Sequence, residues 1–388
     1  MKILHVATLV TPDGAYGGPI RVAVNQIRSL RALGHQAILV AAAQGYDELP
    51  TMFDGVPVTL FPARRAIPGA GFSGLVSPAM LRWIAVNGRR ADVAHVHLAR
   101  DLVVLPAARV LSRCGVPYVT QTHGMVMPSG HPLARPLDAL MTRRALRAAS
   151  ANLYLTDVER LGLGEVVGPL AGLAYLPNGV PVFESRDAPA KSPDGSPREV
   201  LFLARLAPRK RPEMFVRAAL RLIDEFPDVD FTLVGPDEGS LPSVTALIET
   251  STNSQARRRI RWEGAVEPEA VAARIAAAEL YVLPSVDEPF PMSVLEAMSS
   301  GTPVIVTESC GLAADVRANR AGAVIDHTLG ALVDSLRGFL SRPESVRECG
   351  DNASRLARDR YGMAAVAGEL VRHYAHAVAR RCPCVAVG

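Results

Sequence analysis

The chain has 388 residues and a mass of 41.3 kDa, enough for two or three folded units rather than one small module. Hydrophobic residues make up 49% and charged residues 21%, which excludes a disordered chain. No apolar run reaches the roughly 18 residues of a membrane-spanning helix, and a net charge of +4 from 42 basic against 38 acidic residues is too small to imply nucleic acid as a partner.

In chain order, Ile3–Leu9 is expected as a buried strand rather than a signal peptide, since its apolar stretch is interrupted by His5 and no small-residue cleavage site follows. A glycine-rich turn follows at Gly14-Ala15-Tyr16-Gly17-Gly18-Pro19. A helix then carries Ile20, Val24, Ile27, Leu30 and Leu33 on one face, with Pro19 in its first turn and Gly34 as its stop. Further strands are expected at Gln36–Val40, Val56–Phe61, Val93–His97, Val116–Thr120 and Ala151–Leu155. From Pro181 to Arg198 the texture turns to Pro, Ser, Gly and charge, as in a linker. Strands resume at Val200–Ala204, Phe231–Val234, Ile260–Glu263, Leu280–Leu283, Val304–Thr307 and Ala323–Ile325, and helices run from about Thr328. The pattern predicts α/β architecture: an N-terminal domain over 1–183, a linker at 184–198, a second domain over 199–362, and a terminal helical segment over 363–388. Two facing doubly wound parallel sheets put the ligand site in the cleft at the carboxyl ends of their strands.

The five cysteines (Cys114, Cys310, Cys349, Cys382, Cys384) are too few and too scattered for a disulfide scaffold, which fits a cytoplasmic location, and Cys382 with Cys384 lacks a second pair at zinc spacing. Charge is uneven. Residues 1–183 hold 17 basic and 10 acidic residues, a balance of +7, and the remainder holds 25 and 28, a balance of −3. The clusters Arg64-Arg65, Arg89-Arg90 and Arg135, Arg143, Arg144, Arg147 are either a solvated face or a surface for peripheral contact with anionic lipid or a phosphorylated partner.

The stretch Leu283-Pro284-Ser285-Val286-Asp287-Glu288-Pro289-Phe290-Pro291-Met292-Ser293-Val294-Leu295-Glu296-Ala297-Met298 carries the most chemistry. Pro289 and Pro291 keep Glu288 in a loop at a strand end and start a helix near Pro291, with Glu296 more than a turn inside it. The helix N-terminus, with free N–H groups around Met292 and Ser293, suits a diphosphate. Two carboxylates flank that site, one able to take the vicinal diol of a ribose and the other the hydroxyls of a sugar. In a second stretch, Val200-Leu201-Phe202-Leu203-Ala204-Arg205-Leu206-Ala207-Pro208-Arg209-Lys210-Arg211, Arg205 falls at a strand end and Lys210 near a helix start.

Glu288 and Glu296 in Glu-Pro-Phe-x-x-x-x-Leu-Glu-Ala-Met, followed by Gly301-Thr302-Pro303-Val304-Ile305, resemble the signature of the family 4 retaining glycosyltransferases with the GT-B fold. The resemblance implies that Arg205 and Lys210 contact the donor diphosphate. It also implies that His123, after the strand Val119-Thr120-Gln121-Thr122 and before Gly124, contacts the donor sugar. Gly17-Gly18 resembles the family's turn after the first strand. Asn178-Gly179-Val180 looks like the exit from the first domain, and the resemblance implies that the terminal helix over 363–388 packs back on that domain. Gly235–Gly239 and Glu263–Val266 sit where relatives border the nucleotide base, with Val266 a donor-binding residue beside Phe290, Pro291, Met292, Ser293 and Glu296. Pro291 departs from the Gly of many relatives and removes one N–H from the phosphate cradle; Ala204 stands where relatives usually have Gly. Gly69–Gly74 is expected as a flexible loop of the acceptor side.

The implied reaction opens the anomeric carbon–phosphate bond through an oxocarbenium-like transition state, with the acceptor hydroxyl attacking the same face. No cofactor or metal is implied, since Arg, Lys and the helix dipole neutralise the diphosphate. His95 and His97, as His-Val-His on a strand, are expected to pack on opposite faces rather than bind a metal. The donor is a UDP- or GDP-sugar. The acceptor is a saccharide of a cell-surface polysaccharide or glycolipid pathway, or an aminocyclitol in natural-product assembly. A dehydrogenase lacks its Gly-x-Gly-x-x-Gly fingerprint here; an epimerase or phosphorylase does not fit the paired glutamates; a non-catalytic binder of nucleotide sugars need not keep His123, Arg205 and Lys210.

Overall fold

The computed structural model of the chain describes residues 1–12, 17–67, 69, 71–181, 198–267 and 270–381. They divide into two compact units, Met1–Gly179 with the segment from Met363, and Val180–Gly362. Gly14–Tyr16 of the predicted turn, the predicted linker apart from Arg198, and Cys382 and Cys384 lie outside the described residues.

The strands of the first unit are β1 Lys2–Val10, β2 Gln36–Ala43, β3 Met52–Phe53, β4 Val56–Pro62, β5 Arg64–Arg65, β6 Leu75–Val76, β7 Val93–His97, β8 Tyr118–Gln121, β9 Ala151–Tyr154 and β10 Leu173–Tyr175. Eight of them form one sheet in the order β10-β9-β8-β7-β1-β2-β4-β3, parallel except for the β3–β4 pair. β5 and β6 pair only with each other, antiparallel, across a 3-10 turn at Gly71–Gly74 that occupies most of the predicted glycine loop. Strands buried on both faces need near-continuous apolar runs; β2 has one, while the equally buried β1 and β7 set His5, His95 and His97 among their apolar residues.

Ile20, Val24, Ile27 and Leu30 of the helix Gly17–Ala32 enter the core beside β1 and β2. Leu33 does not. The helix ends at Ala32, Gly34 turns left-handed at φ 83°, and the bonds Gly34 N to Arg31 O and His35 N to Leu30 O close a Schellman motif that leaves Leu33 52% exposed. On the same side of the sheet, Val366, Leu370, Tyr374 and Ala377 of the helix Met363–Arg381 pack into that core.

The second unit holds β11 Arg198–Leu203, β12 Val229–Val234, β13 Ile260–Trp262, β14 Leu280–Leu283, β15 Val304–Thr307 and β16 Gly322–Ile325, all parallel in the order β13-β12-β11-β14-β15-β16. The strand order reverses between β11 and β14 here, and between β1 and β7 in the first unit. Such reversals splay the connections to opposite faces and open a crevice at the carboxyl ends of the two central strands.

Candidate active site

In the second unit the connections after β11 and β14 leave the sheet side by side. After β11 a 3-10 turn, Pro208–Lys210, and a left-handed Arg211 at φ 57° lead into the helix Pro212–Leu222. After β14 the chain passes a left-handed Asp287 at φ 49° and reaches the helix Met292–Ser299. Val286 N donates to Arg209 O at 2.9 Å, which joins the two connections.

Their side chains converge on one carboxylate. Glu288 is buried; its Oε2 accepts from Lys210 Nζ and, at 2.8 Å, from Arg209 Nη1, which also reaches Asp287 O at 3.1 Å. Burial lowers the Lys210 ammonium from its usual value, and the Glu288 carboxylate counters this. Glu288 and Lys210 stand out in the sequence, whereas Arg209 carries no signal there beyond its place between Pro208 and Lys210.

Arg205 stands apart from that cluster, paired with Glu238 Oε1 at 2.7 Å in the connection after β12, with the two side chains 57% and 42% exposed. A pair so exposed holds its arginine weakly, by about 0–1 kcal/mol, so an anionic ligand can take the guanidinium over. Pro291 caps the helix Met292–Ser299 without a side-chain bond, and the first-turn N–H groups remain for a ligand. Ser293 Oγ is 2.8 Å from Tyr281 Oη, which donates to Leu203 O at 2.8 Å, tying the helix start to β11. Glu296 is half-buried one turn in. Phe290 packs edge-on against Tyr361, ring centres 6.1 Å apart. Val266 follows the edge strand β13, at the same end of the sheet but two strands from β11.

In the first unit His123 follows β8 in the left-handed region, at φ 50°, with Gly124 at 74°. Glu159 braces it from both sides: its carboxylate accepts from Thr122 Oγ1 and from Gly124 N at 2.6 Å, and again from Leu155 N at 2.6 Å. His123 Nε2 is 2.8 Å from His97 Nδ1, and burial pushes the His123 imidazole down to about 3. Gly17 and Gly18 open the helix after β1, and Gly18 has no atom within 4 Å of where a Cβ would stand.

His95 and His97 lie on one face of β7, not on opposite faces, because residues two apart in a strand project the same way. Their rings stack at 4.5 Å, and His5 on β1, the register partner of His95, joins them. Among the described residues of the basic clusters, Arg143 Nε and Arg147 Nη2 cap the carbonyls of Val166 and Val167 at 2.8 and 2.7 Å, and Asp138 is held by Arg100 rather than by its arginine neighbours.

Two α/β units, each with a doubly wound sheet and a crevice at its strand-order reversal, make up the architecture of the GT-B glycosyltransferases. Residues 17–179 match the model of a glycosyl transferase 4-like domain, and residues 184–356 that of the glycosyl transferases group 1. The chain belongs to the family 4 GT-B glycosyltransferases. It is 27% identical to a D-inositol 3-phosphate glycosyltransferase of Nocardioides, over 87% of this chain and 81% of the relative. It is 26% identical to an alpha-D-kanosaminyltransferase of Streptomyces kanamyceticus, over 78% and 84%. The structure of Anabaena HepE in complex with UDP superposes with a TM-score of 0.73 at 16% identity, covering 97% of this chain and all of the other. No helix of the described residues is long and apolar enough to cross a membrane.

Proposed function

We propose that the chain is a retaining glycosyltransferase that moves a hexosyl or N-acetylhexosaminyl group from a UDP- or GDP-sugar to a hydroxyl of a saccharide-like acceptor. The observation that carries this is Glu288, a buried carboxylate whose Oε2 is neutralised by Lys210 and Arg209 beside the open N-terminus of the helix Met292–Ser299. With Oε2 occupied, Oε1 takes a hydroxyl of the donor sugar, while Lys210, Arg205 and the N–H groups of Met292 and Ser293 hold the diphosphate. Charge builds on that diphosphate as the glycosidic bond opens, so fixed cations and dipoles there lower the barrier. Glu296 takes ribose hydroxyls, Phe290 and Val266 border the nucleotide, and His123 contacts the donor sugar. The leaving phosphate accepts the proton of the attacking hydroxyl, which retains the anomeric configuration. No metal or other cofactor takes part.

The kinship with inositol 3-phosphate and kanosaminyl transferases supports a small polyhydroxylated acceptor of the cyclitol kind beside the saccharide of a surface glycan or glycolipid. A cytoplasmic enzyme touching anionic lipid through Arg64, Arg65 and Arg135 would serve the second case. Thermal shift against UDP-, GDP- and other sugar nucleotides identifies the donor, which at 100 times its Kd stabilises the fold by about 2.7 kcal/mol. Arg205→Ala should abolish turnover with that donor and leave folding intact; wild-type turnover in this variant would remove the diphosphate assignment. The anomeric configuration of the product, read by NMR, tests retention.

A further inference from the structure

Beneath His123 the first unit buries a file of imidazoles. His5 and His95 are 0% exposed and His97 1%, and Tyr374 of the helix Met363–Arg381 lies over them, 0% exposed. Contacts join the rings head to tail. His123 Nε2 is 2.8 Å from His97 Nδ1, His97 Nε2 is 3.1 Å from His5 Nδ1, His5 Nε2 is 3.5 Å from Tyr374 Oη, and Tyr374 Oη is 2.7 Å from His95 Nδ1.

The nitrogens of His5, His95 and His97 lie within 4.8 Å of one another, as metal ligands do. Their orientation is wrong for a metal. Imidazole lone pairs lie in the ring plane, and His95 and His97 stack with an interplanar angle of 7°, so their lone pairs run side by side instead of converging on a tetrahedral centre. His5 and His97 meet nitrogen to nitrogen, as donor and acceptor.

A neutral imidazole has one N–H and one bare nitrogen, so a chain of neutral rings has two self-consistent proton arrangements, each fixing every ring. Burial pushes all four imidazoles down and keeps them neutral. Tyr374 selects between the arrangements, because it has one proton and two partners. The 2.7 Å contact to His95 has the length of an O–H···N bond, and the 3.5 Å contact to His5 is at the limit of one. With the phenol proton donated to His95 Nδ1, the His95 N–H is on Nε2, outside the file, and the donors of the other three rings point inward: His5 Nε2–H to Tyr374, His97 Nε2–H to His5, His123 Nε2–H to His97. His123 Nδ1, buried and without a protein partner among the described residues, is left as a bare acceptor.

We infer, on the assignment of His123 to the donor sugar, that His97, His5 and Tyr374 are positioning residues: their hydrogen-bond relay holds His123 in its Nε2–H tautomer and presents Nδ1 as the acceptor for a ligand hydroxyl. The tautomer is read from imidazole nitrogen-15 shifts in the full-length protein at neutral pH, with His123 assigned by its loss in His123→Gln. Wild type should carry the proton on Nε2. Tyr374→Phe removes a single oxygen and with it the choice between arrangements; the Nδ1–H form of His123 should become populated and kcat/KM should fall roughly three- to ten-fold. His97→Leu should do the same more strongly, whereas His97→Asn, whose Oδ1 replaces the Nδ1 acceptor, should restore the tautomer and most of the rate. A proton on Nδ1 in wild type, a tautomer unmoved in both Tyr374→Phe and His97→Leu, or one tightly held equivalent of metal would overturn the relay. If the tautomer moves and turnover does not, the relay stands and His123 leaves the reaction. If His123→Gln abolishes turnover while the tautomer ignores Tyr374 and His97, the assignment of His123 stands and the relay falls.

Discussion

One buried carboxylate, Glu159, answers three donors, Thr122 Oγ1 and the N–H groups of Gly124 and Leu155. Two of these flank His123, whose left-handed backbone costs about 1–2 kcal/mol for a residue with a side chain. Glu159→Gln preserves the shape and replaces one accepting oxygen with an amide nitrogen that cannot accept, so at least one buried donor loses its partner. We expect a loss of about 1–3 kcal/mol in denaturant unfolding, with a fall in kcat/KM of about ten-fold under conditions where the variant is folded; an unchanged unfolding midpoint would remove Glu159 from this role. The sequence hints at Glu159 through the capping spacing Thr156-x-x-Glu159, and Thr156 Oγ1 does accept from Glu159 N at 3.2 Å. The carboxylate then turns away to a loop 35 and 37 residues earlier, a contact that only the folded sheet creates. Glu288 and Lys210, which the fold brings together, stand out in the sequence because the stretches that carry them are local. Glu159, Arg209 and His5 do not, since each acquires its meaning from a partner brought in by strand pairing or by the meeting of two loops.

Among connecting elements the backbone is most constrained beside the proposed site residues. Five residues other than glycine have positive φ among those described, and three of them are His123, Arg211 next to Lys210, and Asp287 next to Glu288. Strained backbone concentrates where geometry must be held for function. Gly235 at the end of β12 is constrained in another way: a Cβ there would stand 2.0 Å from Ala204 O, the carbonyl preceding Arg205. Gly235→Ala must push that connection aside. It should lower stability by at least about 2 kcal/mol and weaken donor binding together with it; a melting temperature equal to wild type would mean that the approach is looser than described. Buried strands were legible as apolar runs, β14 and β15 to the residue and β1 to within one at each end. Those missed were the two-residue pieces β3, β5 and β6 and the half-exposed edge strand β10, Leu173–Tyr175, too short to carry a period.

For the molecule as a whole, the imidazole file makes stability depend on pH. His5, His95, His97 and His123 are all lowered by burial, His123 to about 3, so the folded state keeps them neutral while the unfolded chain protonates them near 6.5. Their contribution is fully present above about pH 6.5 and is lost as the pH falls, because the unfolded state then binds the protons. Asp101, raised to about 6 by burial, works the other way by binding a proton in the folded state. The imidazoles gain more protons on unfolding than Asp101 gives up, so stability falls as the pH drops below about 6.5. Denaturation midpoints between pH 7 and 5 check this, and a flat profile would mean that the imidazoles are solvated or already charged in the fold.

The helix Met363–Arg381 completes a core begun by residues at the other end of the chain, with the whole Val180–Gly362 unit between them in sequence. During synthesis, then, the order of completion is inverted. The second unit is contiguous and can close as soon as it has left the ribosome, whereas the earlier-made half waits with Ile3, Val24 and Ile27 uncovered and His95 without its phenol until Leu370 and Tyr374 arrive. Domains fold as units once their chain is available, so the unit begun first is the one completed last.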